Sequence, residues 1–156
     1  MRIIAQQWAW TFVHAGPDGQ LDTADDIRTV DELNLQVNRL YRYELHSRDV
    51  VHSFSVPVFR LKQDAVPGRA TVGWFKPTVT GEFDIQCTQI CGIGHGLMAA
   101  RVRIRSAGEQ AAWMASASRT PQLAGGPTEP PARSGQSARA ALTRDTDRVT
   151  GHRGGE

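Results

Sequence analysis

Tyr41-Arg-Tyr-Glu-Leu-His46 and, a few residues on, Val50-Val-His-Ser-Phe-Ser-Val-Pro-Val58 decide how this chain is read. The first alternates apolar and polar residues and the second is rich in valine. Both are marks of strands rather than of helices with a 3.6-residue period. Segments of the same kind recur on either side: Ile3 to Phe12, Thr29 to Val37, Ala70 to Phe75, Glu82 to Cys87 and Met98 to Ile104. Between them stand turn signals such as Gly16-Pro-Asp-Gly19, Val66-Pro-Gly68 and Thr80-Gly81. Their spacing suits a β-sandwich or barrel, not alternating strands and helices. The fold expected is an all-β Greek-key sandwich.

Beyond Ser106 the composition changes. Ala107 to Ser118 is alanine-rich, with Trp113 and Met114 able to form one apolar patch on a short helix that caps the sandwich. From Thr120 onward Pro, Gly, Ser, Thr and Arg dominate, and little apolar surface remains to offset the entropy of ordering the backbone. One domain is therefore expected over residues 1–118 and a disordered tail over 119–156.

Hydrophobic residues at 40% and charged residues at 22% are ordinary for a globular protein and exclude a fibrous or wholly disordered class. A net charge of +2, carried by scattered arginines, gives no footprint for nucleic acid. No apolar run approaches the roughly 18 to 20 residues needed to cross a bilayer, so the chain as given reads as soluble. Met1 stands at the edge of a strand-like segment, and any membrane anchor is expected outside this sequence. Two cysteines alone do not make a disulfide framework, which leaves a metal, a redox pair or a local bridge for Cys87 and Cys91.

Cys87-Thr-Gln-Ile-Cys91-Gly-Ile-Gly-His95-Gly-Leu-Met98 gathers two thiols, an imidazole and a thioether into one loop. Soft sulfur with imidazole favours copper over magnesium, calcium or manganese. Glycines at 92, 94 and 96 free the backbone so that these side chains can converge. A mononuclear blue-copper site needs only Cys91, His95 and Met98, which leaves Cys87 surplus. Two sulfurs bridging two coppers would use Cys87 as well and would call for a second imidazole, for which His52 is the natural candidate.

Several separated motifs now agree with one family. Val51-His-Ser-Phe54, Lys62-Gln-Asp-Ala-Val-Pro-Gly-Arg69, Gly81-Glu-Phe83 and the Cys87 to Met98 loop, with Gln7-Trp-Ala-Trp10 at the start, resemble the CuA domain of cytochrome c oxidase subunit II in order and spacing. The resemblance covers about residues 5 to 115. It implies a cupredoxin-like sandwich and two copper ions bridged by the thiolates of Cys87 and Cys91. His52 and His95 would complete the two coppers, with Met98 and the backbone carbonyl of Gln89 as weak ligands. It implies that the electron enters near Trp8 from a cytochrome c and passes to haem in subunit I, on the periplasmic face of a respiratory membrane. The isolated domain would then carry no oxygen chemistry; catalysis would belong to the oxidase complex. Most members have Glu where this chain has Gln89, a poorer ligand for a hard cation, which argues against magnesium. The CuA domain of nitrous oxide reductase usually carries Trp at that position, and a blue-copper carrier would hold one copper.

Each residue also has a plainer reading. Cys87 and Cys91 could be a disulfide or buried thiols, Met98 core filling, and His52 an ordinary buried imidazole. Trp8 and Trp10, two apart, would share one face of a strand and pack. Asp49, Asp64 and Arg69 are candidates for a surface facing the catalytic subunit, with solvated charge as the default. The acidic stretch Gly16 to Asp26 offers oxygen ligands at calcium-like spacing but lacks the closing Glu of an EF-hand loop, and reads as a solvated turn. His14, His46 and His152 are assigned to structure or to disorder.

Overall fold

The computed structural model describes residues 1–118, so the expected disordered tail and His152 lie outside the described residues. Ten strands form two five-stranded sheets. The first has the order β3 (Ile27–Val30), β2 (Ala9–His14), β1 (Arg2–Gln6), β5 (Tyr41–Ser47), β8 (Thr71–Phe75). The second runs β4 (Glu32–Gln36), β10 (Ala99–Arg105), β9 (Gly81–Cys87), β6 (His52–Val56), β7 (Leu61–Ala65). All pairings are antiparallel except β1 with β5 and β4 with β10.

Alternation along the strands aims one set of side chains between the sheets. Trp10, Phe12, Tyr43 and Phe54 meet there almost wholly buried, with Phe54 at ring-centroid distances of 5.3 Å from Trp10 and 6.3 Å from both Phe12 and Tyr43. Ile3, Leu33, Leu35, Leu45, Ile85 and Val102 fill the remaining interior.

Three segments depart from the sequence reading. Ile3 to Phe12, expected as one strand, is a hairpin that turns at Gln7-Trp8. Thr29 to Val37 breaks at Asp31, whose φ of 54° makes the corner where the chain leaves one sheet for the other. The Asp31 carboxylate accepts the Trp10 amide at 2.8 Å, and its carbonyl accepts the Arg101 amide at 2.9 Å. β7 was not expected, because its outer residues are polar and exposed on a sheet edge.

The acidic stretch uses its oxygens internally. Asp22 makes a paired contact with Arg2 at 2.7 and 3.0 Å, and Asp25 accepts the Thr23 hydroxyl at 2.6 Å. The Arg2 pair ties the turn to β1, and the Thr23 bond closes the turn on itself.

A capping box opens the helix α1 (Ala107–Ala117): Ser106 Oγ accepts the Glu109 amide, and the Glu109 carboxylate accepts the Ser106 amide. Trp113 and Met114 are half-buried, and the Trp113 ring meets the His14 ring edge-on at 5.3 Å. Among the described residues no helix is long and apolar enough to cross a membrane.

Burial, then the N-terminal charge and Arg39, hold His14 down to a pKa of about 3 from an ordinary 6.5. The imidazole stays neutral in the folded protein while the unfolded chain takes up a proton below about pH 6.5. Unfolding thus binds protons between those values, and stability falls as pH drops through that window, by roughly 4 kcal/mol. His14→Phe is expected to flatten the acid limb of a urea-unfolding series run from pH 7 to 4. An unchanged limb would count against this assignment.

Candidate metal centre

Three neighbouring strands of the second sheet bring their ends to one edge. His52 opens β6, Cys87 closes the antiparallel β9, and Met98 immediately precedes β10. The register sets Phe54 opposite Cys87, the Thr88 amide donates to the Ser53 carbonyl at 3.1 Å, and the Cys87 amide donates to the Met98 carbonyl at 3.1 Å. Cooperative strand pairing therefore locates the first and last donors, and the loop between Cys87 and Met98 brings in the rest.

All the donors expected from the sequence converge. Cys87 Sγ lies 3.7 Å from Cys91 Sγ, and Cys91 Sγ lies 3.6 Å from His95 Nδ1 and 3.8 Å from Met98 Sδ. The Cys87 thiol points at the Gln89 carbonyl oxygen, 3.2 Å away, while the Gln89 side chain is exposed. A ring nitrogen of His52 and the two sulfurs lie within 4.8 Å of one another. His52, Cys87, Cys91 and Met98 are buried, and His95 is half-buried at the rim. The cysteines are free thiols.

The orientation of His52 is set by a residue that the sequence reading left on the surface. Asp49 Oδ1 lies 2.8 Å from His52 Nε2, so Nε2 carries the proton and Nδ1 keeps its lone pair. Nδ1 is buried with no hydrogen-bond partner, and Trp10 packs edge-on against the ring at 6.2 Å. An unsatisfied buried acceptor beside two thiols fits a metal ligand. Burial works against charge on Asp49, but hydrogen bonds from His52 and from the Gln7 and Val50 amides outweigh it and hold its carboxyl below the usual range. The three-residue spacing Asp49 to His52 was the available signal.

Burial, then the hydrogen bond and charge of Cys87, push the Cys91 thiol up to about 11. Two adjacent thiols resist ionising together without a cation, so metal loading would release protons and weaken as pH falls. The donor set, two thiols, two imidazoles and a thioether, suits copper.

Trp8 and Trp10 do not share a face, because the chain reverses between Gln6 and Ala9 and breaks the two-residue period. Trp10 is core, whereas Trp8 is 38% exposed. Its Nε1 donates to the Cys91 carbonyl at 3.3 Å. A Cβ at Gly94 would lie 2.4 Å from the Trp8 ring, so only glycine lets the indole rest on the loop. Gly92, at a φ of 121°, is confined in the same way, whereas Gly96 faces open space. Ile90, Ile93 and Leu97 stand exposed around this rim.

Residues 1–105 match the family described as cytochrome c oxidase subunit II, periplasmic domain. The chain is 34% identical over 137 residues to the alternative cytochrome c oxidase subunit 2 of Bradyrhizobium diazoefficiens, covering 73% of this chain and 49% of that protein. It is 42% identical over 81 residues to cytochrome c oxidase subunit 2 of Cereibacter sphaeroides, covering 52% of this chain and 27% of that one. This chain therefore spans about half or less of these relatives. The crystal structure of the periplasmic domain of subunit II of cytochrome oxidase (CoxB) of Bradyrhizobium japonicum superposes with a TM-score of 0.66 at 29% identity, covering 74% of this chain and 90% of that one. A mixed disulfide intermediate between a thioredoxin-like protein and subunit II of cytochrome c oxidase gives 0.62 at 30% identity, covering 74% and 88%.

Proposed function

Because this chain belongs to the cytochrome c oxidase subunit II family, we propose that it is the electron-accepting domain of a haem-copper oxidase. It would take one electron at a time from a cytochrome c and pass it to haem in subunit I at the periplasmic face of the membrane. The observation that carries the reading is the convergence of Cys87 Sγ, Cys91 Sγ, His95 Nδ1 and Met98 Sδ, with neighbouring sulfur and nitrogen atoms 3.6 to 3.8 Å apart, beside the open Nδ1 of His52.

Two copper ions, when bound, supply a one-electron store shared through sulfur. The rest belongs to the protein. Cys87 and Cys91 would hold the ions through their thiolates, His52 and His95 would each supply an imidazole, and Met98 Sδ and the Gln89 carbonyl would bind weakly. Because the Gln89 ligand is a backbone atom, its neutral side chain costs the centre nothing, and a centre of copper alone is proposed. Strand pairing and the buried core hold the donors nearly fixed, so little rearrangement accompanies a change of charge. Loading requires both thiols reduced. A thioredoxin-like reductant, the class of protein seen in mixed disulfide with a relative, would keep them so.

Trp8 is the proposed point of electron acceptance, since its ring is half exposed and rests on the ligand loop. The exposed Ile90, Ile93 and Leu97 give a donor an apolar contact around it. Stopped-flow reduction of the copper-loaded protein by ferrocytochrome c tests this. Trp8→Ala is expected to slow electron uptake by about tenfold or more, as loss of a central aromatic anchor does at interfaces, with copper content unchanged. An unaltered rate would remove Trp8 from the path.

A further inference from the structure

Gln7 lies at the tip of the β1–β2 hairpin and reaches the candidate centre by two routes. Its side-chain Nε2 donates to the Cys91 carbonyl at 2.8 Å, the same oxygen that accepts Trp8 Nε1. Its backbone amide donates at 2.6 Å to Asp49 Oδ2, while the other oxygen of that carboxylate holds His52 Nε2. A Cβ at Gly92 would come within 2.9 Å of Gln7 Nε2, so the loop is shaped to admit this amide. One residue from the first sheet thus touches both halves of the donor cluster, His52 through Asp49 and Cys91 through its carbonyl.

We propose that Gln7 is a positioning residue that clamps the Cys91 segment and the Asp49–His52 pair to the hairpin carrying Trp8, and whose amide dipole favours the reduced state of the centre. The inference rests on the copper reading above. Its first part is geometric: the two hydrogen bonds from Gln7 fix how far the indole stands from the donor atoms, and donor-to-acceptor placement sets the rate. Its second part is electrostatic. The positive end of the Gln7 N–H dipole faces the carbonyl of the buried Cys91 through a part-buried hydrogen bond, where an added electron is stabilised and its absence is not.

The test uses the whole 156-residue chain loaded with copper, comparing the parent with Gln7→Leu and Gln7→Glu. Neither variant keeps the amide donor, and the carboxylate also sets an acceptor against an acceptor. Both are expected to bind as much copper as the parent. The equilibrium constant for reduction by a fixed mediator should fall by about threefold in Gln7→Leu, the value of one hydrogen bond, and further in Gln7→Glu. Uptake from ferrocytochrome c should fall by roughly tenfold in both. A parent-like reduction equilibrium in both variants would overturn the proposal, and so would loss of copper from either, because Gln7 would then belong to the binding framework. Failure of the parent itself to bind copper would be a different result, striking at the copper reading and not at Gln7.

Discussion

Cys91→Ser is expected to eliminate the proposed shared copper centre outright. Cys91 Sγ is the hub of the cluster, within 3.8 Å of Cys87 Sγ, His95 Nδ1 and Met98 Sδ. A hydroxyl in its place is a hard, neutral donor that does not bridge soft copper. Changing a residue behind a ligand typically costs 10- to 100-fold in metal affinity, so loss of the hub ligand should cost more than about 100-fold. Copper per chain should fall from two to at most one, the thiolate-to-copper absorption should collapse, and reduction by ferrocytochrome c should cease. Circular dichroism of the metal-free variant should match that of the parent, because the fold rests on the sandwich core. Two coppers retained in Cys91→Ser would contradict the bridging assignment.

Phe54→Ala is expected to produce the largest loss of stability in the core. Its ring is fully buried among Trp10, Phe12 and Tyr43, and its backbone pairs with Cys87 on one side and Gln63 on the other. Truncating a buried phenylalanine leaves a cavity that such a packed neighbourhood refills poorly, at a cost of about 3–5 kcal/mol. In guanidinium chloride that is a midpoint about 1 M lower for the metal-free protein. Bound copper stabilises the folded state by mass action and should mask part of the loss. A midpoint within error of the parent would mean that the aromatic cluster is not what joins the sheets.

The two results probe different parts of the sequence, and those parts were not equally legible. The cysteines, His95 and Met98 could be read together because they fall within one loop whose ligand chemistry is local. His52 stands 35 residues before Cys87, and only the family resemblance tied it to the loop. The physical link is the antiparallel register of β6 with β9. The sandwich was legible because alternation survives wherever one face is buried. Its breaks were not. The hairpin at Gln7-Trp8 and the corner at Asp31 contain neither Gly nor Pro, and they are held by tertiary bonds to Asp49, Cys91, Trp10 and Arg101. β7 has one fully buried residue, Ala65, and its pattern is that of an edge. Asp49 and Gln7 look like surface residues in sequence; Asp49 reaches His52 locally, but the bonds from Gln7 to Asp49 and to Cys91 exist only once the two sheets meet.

The most direct test of the central claim is the copper content per chain of the reconstituted protein, measured with its electron paramagnetic resonance spectrum. Two coppers are expected, with hyperfine structure from one unpaired electron spread over both nuclei. One copper with a single-nucleus pattern would contradict it and leave a blue-copper carrier. No tightly held copper would return Cys87 and Cys91 to a pair of buried thiols.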